Sequence, residues 1–127
     1  KHGLAVVSTV DSNGKPQSAV VEFAELDDLS IIIDTLTNSR KYRNLQTNNE
    51  VAIVIGWDND KTVQIDGIAK ELGGDELEEA KQAYFIKNER AKEWGNKPGI
   101  AYFAIKPNWI RYSDVAEHPW IIEEFNL

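Results

Sequence analysis

Ser30-Ile31-Ile32-Ile33-Asp34-Thr35-Leu36-Thr37-Asn38-Ser39-Arg40-Lys41-Tyr42-Arg43-Asn44-Leu45 is the stretch on which the reading of this 127-residue chain turns. Ile31 to Ile33 form a short apolar run with the character of a buried strand. Small polar residues follow, and then a helix start. Ser39 stands where an N-cap hydroxyl would satisfy a free backbone N–H. Tyr42 and Leu45 recur at helical spacing and would hold a short helix on the core.

The order of charge in this stretch is unusual. Arg40 and Lys41 fall in the first helical turn, where the positive end of the helix dipole disfavours cations and acids normally stand. Two bases beside a hydroxyl cap and free N–H groups suit a phosphate. The bland alternative is a solvated basic turn with no ligand.

Working outward, Leu4 to Val10 is β-rich, and Asn13-Gly14 with Pro16 signals a hairpin. The return strand, about Gln17 to Phe23, puts Ala19, Val21 and Phe23 on one face and Ser18, Val20 and Glu22 on the other. Glu22 among apolar neighbours reads as a solvent-facing edge position, with a pocket-lining role as the alternative. Glu50 to Trp57 and Thr62 to Leu72 read as a fourth and a fifth strand. Gly67 inside the fifth signals a bulge or a close backbone approach. Asp75 with Glu78 resembles a capping box. The helix after it, to about Lys87, should face the core through Leu77, Ala80, Tyr84 and Ile86. Asn88 to Trp94 is expected to be a short helical piece and 96–99 a loop. Ile100 to Ile105 and Trp109 to Tyr112 read as two strands separated by a kink at Lys106-Pro107-Asn108. Trp120, Ile121, Ile122 and Phe125 are too apolar for a free tail and should pack on the domain or on a partner chain. This order predicts a mainly β (α+β) fold: a six- to seven-stranded antiparallel barrel, closed, with two or three flanking helices.

Bulk properties narrow the function classes. The length fits one domain, 1–127, with a core of about 3–113 and a C-terminal extension, 114–127. Acids outnumber bases 21 to 14, for a net charge of −7, which argues against nucleic acid and against an anionic membrane surface. There is no cysteine and there are two histidines, His2 and His118, so no metal site is expected. No apolar run reaches membrane-spanning length and no signal peptide is visible, so a cytoplasmic protein is the default expectation. The chain opens on Lys1 rather than methionine, and an N-terminal piece is expected to have been removed or to lie outside this numbering.

Four segments carry a family resemblance: Leu4–Val10 with Gly14-Lys15-Pro16; Thr35 through Ser39-Arg40-Lys41, with Asn44-Leu45; Val51 to Trp57; and Thr62-Val63-Gln64-Ile65-Asp66-Gly67-Ile68-Ala69. In order and spacing the chain resembles the FMN-binding split-barrel proteins, the pyridoxamine 5′-phosphate oxidase-like superfamily. The resemblance implies that Ser39, Arg40 and Lys41 grip the FMN phosphate and that Thr35 contacts the phosphate arm. It puts Val20, Val21 and Glu22 on the strand along the flavin ring, and gives Thr62 the place of a polar residue reaching the ring or ribityl chain. It also implies a homodimer whose partner chain completes the pocket. The family's substrate residues do not carry over. Ala19 and Ala24 stand in place of an Arg and a Lys, Ser113 lies near the place of a tryptophan, and the Arg-Leu-His-Asp-Arg segment has no counterpart.

The expectation is an FMN-dependent oxidoreductase acting on a small-molecule substrate or electron donor, with no catalytic side chain identified. The alternative is a non-catalytic binder of flavin, or of deazaflavin F420 or haem. A barrel without cofactor, acting as an interaction module, ranks third. Ser113, Asp114 and His118, faintly like hydrolase parts, read as a surface loop.

Overall fold

The computed structural model describes residues 3–95 and 97–127. Lys1, His2 and Asn96, the last being part of the loop expected at 96–99, lie outside it. The strands are β1 (Leu4–Val10), β2 (Pro16–Glu22), β3 (Ala24–Glu25), β4 (Ile31–Leu36), β5 (Glu50–Ile55), β6 (Lys61–Glu71), β7 (Ile100–Asp114) and β8 (Ile121–Asn126). Helix α1 (Arg40–Thr47) follows β4, and α2 (Gly74–Lys87) follows β6 with a 3-10 turn, Glu89–Glu93, after it. Among the described residues no helix is long and apolar enough to cross a membrane.

All eight strands form one antiparallel sheet in the order β2-β1-β5-β6-β7-β4-β3, with β8 on β7. The split barrel that the family resemblance implies is what forms, not the closed one that strand order alone suggested. Among the described residues β2 pairs only with β1, so the sheet does not close onto β3 and β4. The inner face is packed by Ala5, Val7, Ile33, Ile53, Phe103 and Ile105 with their neighbours. A second apolar layer, with Ile32, Ala80, Tyr84, Ala91 and Tyr102, joins α2 and the 3-10 turn to the outer face.

Three expectations need correction. The six or seven strands are eight among the described residues, because a two-residue β3 precedes β4 and the tail pairs as β8. The two last expected strands are one, β7, running through Pro107. Its register against β6 passes from Trp109 opposite Asp66 to Pro107 opposite Gly67, leaving Asn108 as the extra residue of a bulge. Pro107 also falls between the residues that pair with β4 and those that pair with β8. A strand tolerates a missing N–H at such places. The third concerns α2. Gly73 is its N-cap, with no side-chain cap, and Asp75 and Glu76 sit in its first turn, where acids favour the dipole. Leu77, Ala80 and Tyr84 face inward as expected, but Ile86 is 81% exposed because it lies off that stripe.

The tail behaves as half expected. β8 pairs with β7 along its whole length, yet Ile121, Ile122 and Phe125 remain exposed.

Helix α1 is tied to the first hairpin by a buried group. Asn44 Nδ2 donates to Thr9 Oγ1 and to Gln17 Oε1, both at 2.9 Å. Asn44 and Thr9 are both buried, so removing the amide strands acceptors away from water. Asn44→Ala is expected to cost ~1–3 kcal/mol, read as a lower urea midpoint with an unchanged slope.

Candidate functional site

The split in the sheet also opens a hollow. Where β2 fails to pair, a cleft of about 640 Å³ opens, lined by Val20, Val21 and Glu22 on one side and by Asp34, Thr35, Leu36, Ser39 and Lys41 on the other. The unpaired edge of β2 leaves backbone N–H and C=O groups without ladder partners. Glu22 is half-buried and lines this cleft, so the pocket-lining alternative describes its position.

The floor is built by the β4–α1 junction. β4 runs on through Thr35 and Leu36, which pair with Ala101 and Ile100. Ser39 takes φ −86° and ψ 160° and caps α1. Its Oγ accepts from the Tyr42 N–H at 3.1 Å, and the Thr35 and Ser39 hydroxyls are hydrogen-bonded at 2.9 Å. The N–H groups of Arg40 and Lys41 have no acceptor within the helix. The first turn holds no acid, so no carboxylate on the helix itself offsets the two bases at the positive end of the dipole. What holds them there is packing. Tyr42 stacks edge-on against Phe103 at 5.9 Å, and Leu45 is buried in the barrel core.

The two bases divide. Lys41 is half-buried in the cleft, whereas Arg40 is exposed. Arg40 lines a neighbouring depression of about 190 Å³ with Val7, Thr9, Gln17, Ser18 and Ala19. Ser39 and Lys41 line both hollows, which makes one continuous surface from Arg40 to the β2 edge. Small Ala19 keeps the depression open. Ala24 is buried beneath α2 and lines neither hollow. Thr62, half-buried on β6 opposite Ser113, also lies outside both. Ser113 and Asp114 are not in a surface loop. They end β7, and Asp114 is buried with its Oδ1 accepting from the Ala116 N–H at 3.1 Å.

Charge in the cleft is mixed. Burial pushes the Asp34 carboxyl above its usual value of 3.8, although the Tyr84 hydroxyl donates to it at 2.9 Å and Lys41 attracts it. Burial pushes Lys41 down, and Asp34 partly offsets this. Burial, then the Asp34 charge, pushes the Tyr102 hydroxyl up to about 12. For a carboxyl raised on folding, the native state binds more protons than the unfolded one above 3.8, so stability falls as pH rises through that window. Asp34→Asn is therefore expected to be more stable than the parent at neutral pH, with the difference vanishing as pH falls below 3.8. Thermal unfolding across pH checks this.

Trp94, Lys97, Pro98 and Ile100 close the far wall of the cleft. Sequence reasoning missed them. They reach it because Leu36 pairs with Ile100, and the Thr37 N–H donates to the Gly99 carbonyl at 2.9 Å. No local spacing signals this. Asp34, just after the apolar run Ile31 to Ile33, was likewise not singled out. Among the described residues no three His, Cys, Asp or Glu side chains converge as metal ligands.

Comparison with known proteins adds the following. The family model described as Pyridoxamine 5′-phosphate oxidase matches residues 1–114. A pyridoxine/pyridoxamine 5′-phosphate oxidase of Streptomyces avermitilis is 32% identical over 91 residues, covering 71% of this chain and 39% of that protein. The chain thus spans about two fifths of that relative's length. A heme binding protein from Mycobacterium smegmatis superposes with a TM-score of 0.82 at 18% identity, over 98% of this chain and 53% of that one. A pyridoxamine 5′-phosphate oxidase-related, FMN binding protein from Nostoc punctiforme gives 0.73 at 14% identity, over 98% and 86%. At these identities the two structures support the fold alone.

Proposed function

The chain belongs to the pyridoxamine 5′-phosphate oxidase family, and on that premise we propose that it is an FMN-dependent oxidoreductase working as a homodimer on a small molecule. The observation that carries this reading is the Ser39-capped helix whose first turn presents Lys41 to a cleft of about 640 Å³ in the split of the barrel and Arg40 to the depression beside it. That volume falls within the ~300–1,000 Å³ of small-molecule pockets. The donor set suits a phosphate monoester: free N–H groups at a helix start, one half-buried ammonium and one guanidinium.

In this reading Ser39, Arg40 and Lys41 hold the phosphate and Thr35 steadies the Ser39 hydroxyl. Val20, Val21 and Glu22 line the ring, with the free β2 edge supplying backbone hydrogen bonds. The flavin, when bound, supplies the redox chemistry. The protein's share is to orient it, exclude water and set the charge around it through Glu22 and Asp34.

The homodimer has support in the open side of the cleft. Val20 is 62% and Leu36 53% exposed there, apolar surface that a second copy would cover. Thr62 lies off the cleft of its own chain and is assigned to the partner's side of the site.

Haem is the second reading, favoured by the fold shared with a heme binding protein. Among the described residues, the cleft lining contains no His, Met or Cys, which are the usual axial ligands along with Tyr, and this supports FMN over haem. The same pocket could also serve a non-catalytic flavin carrier. The test is to load the chain with FMN and add NAD(P)H. Loss of the flavin absorbance, with turnover on an electron acceptor, is expected. Retained absorbance would favour a carrier, and a Soret band in the purified protein would favour haem.

A further inference from the structure

A second hollow opens into the barrel core and shares no lining residue with the first. It is a bowl of about 350 Å³ with Phe23, Ile31 and Ile65 as its floor and Ile55, Val63 and Ile110 as its wall. The floor residues are buried, whereas the wall residues are only partly so. Leu29 and Lys87 stand at its rim.

Leu29 is the odd residue here. The β3–β4 turn is closed by the Leu26 N–H donating to the Ser30 carbonyl at 2.9 Å, and by the Leu29 N–H donating to the Leu26 carbonyl at 3.0 Å. Within it Leu29 takes φ +73°. Such a position normally goes to Gly or Asn, because a Cβ is penalised there. Leu29 is also 54% exposed. A glycine would relieve the backbone and remove exposed apolar surface together. The leucine gives the bowl an apolar lip, and strain of this kind gathers at ligand sites.

Lys87 supplies the polar counterpart. It is the last residue of α2, and its Nζ lies 3.4 Å from the centre of the Phe23 ring and 3.2 Å from Glu25 Oε1. The lysine side chain is only 20% exposed, the glutamate 64%. Glu25 also lines the bowl, but its side chain is mostly in solvent, so the ion pair is weakly kept while the cation stays held.

We propose that the bowl binds a small amphipathic carboxylate, its alkyl body among Phe23, Ile55, Val63 and Ile110 and its carboxylate on Lys87 in place of Glu25. The charge complementarity decides the class. Once the exposed Glu25 carboxylate swings away, the ammonium held at the mouth of an apolar hollow rewards an anion with an apolar body over a neutral chain of equal length. The site is independent of the flavin reading.

Octanoate is the probe, titrated calorimetrically into the 127-residue chain. Saturable binding of one octanoate per chain is expected, with octanol bound about tenfold or more weakly, since a hydrogen bond to a charged group carries such a factor. Lys87→Gln should weaken octanoate by the same factor and leave octanol unchanged. Glu25→Gln, which frees the ammonium, should tighten octanoate. Leu29→Gly should raise the unfolding temperature while weakening octanoate. Val63→Trp should fill the bowl and abolish binding. No saturable binding to the wild type, equal binding of octanoate and octanol, or undiminished binding to Val63→Trp would each overturn the proposal. So would a Val63→Trp chain that loses a dimer while the wild type ignores octanoate, since a second copy would then cover the bowl.

Discussion

Lys41→Ala is expected to weaken FMN binding by one to two decades, measured by quenching of flavin fluorescence on titration. A hydrogen bond to a charged partner contributes roughly 1.5–3 kcal/mol, and each ~1.4 kcal/mol is a factor of ten. Lys41 should lie at the upper end, because it is half-buried and its ammonium is already drawn out of water. A desolvated charge interacts more strongly with an incoming dianion than an exposed one does. Arg40→Ala should lie at the lower end, since Arg40 is exposed on the adjoining depression. Arg43→Ala is the control. Its guanidinium donates to the Asn38 carbonyl at 3.2 Å and its side chain lines neither hollow of the proposed site. Unchanged affinity in that variant, beside losses in the other two, separates a local grip from a general effect of positive charge.

Gly67→Val should be the most damaging change outside the cleft. A Cβ at Gly67 would lie 2.7 Å from the Lys106 carbonyl oxygen and 2.9 Å from Ile105 Cγ2. The first contact is backbone, so no rotamer change relieves it. The clash sits at the β6–β7 bulge, where two residues of β7 crowd against one of β6. A loss of ~3 kcal/mol or more is expected, the upper end of what overpacking costs. In a domain of this size that lowers the unfolding temperature by about 10 °C. Gly67→Ala should fail in the same direction by less, and scanning calorimetry of the two variants checks the order.

The Ser39-capped helix and the close approach at Gly67 were legible in the sequence because their signals are local. A serine before two bases, with apolar residues at helical spacing behind them, describes a capped helix wherever it lies. A glycine inside an alternating strand marks close backbone approach, and the atoms facing Gly67 bear that out. Other features depend on what the fold brings together. Trp94 and Lys97 reach the cleft only through the β4–β7 pairing. Asn44 acts on Thr9 and Gln17, 35 and 27 positions away. Asp34 was not singled out, and the fold half-buries it in the cleft with the Tyr84 hydroxyl, fifty residues on, donating to it.

Other misreadings came from trusting local breakers. Pro107 looked like an end of strand, yet β7 passes through it because the bulge and the change of neighbour from β4 to β8 absorb the missing N–H. Ile86 looked like core by hydrophobicity alone and failed on angle, since the inward stripe runs through Ala80 and Tyr84. The tail was too apolar for a loose end and does form β8. Its exposed isoleucines and Phe125 show that strand pairing and burial are separate outcomes.

The measurement that bears most directly on the proposed site compares FMN with riboflavin, the same ring and ribityl chain without the phosphate, on the wild-type chain. A clasp made of Ser39, Arg40 and Lys41 predicts that FMN binds at least two decades more tightly, and that this margin shrinks in Lys41→Ala while riboflavin affinity stays unchanged. Equal affinities for the two flavins, or a margin untouched by Lys41→Ala, would contradict it.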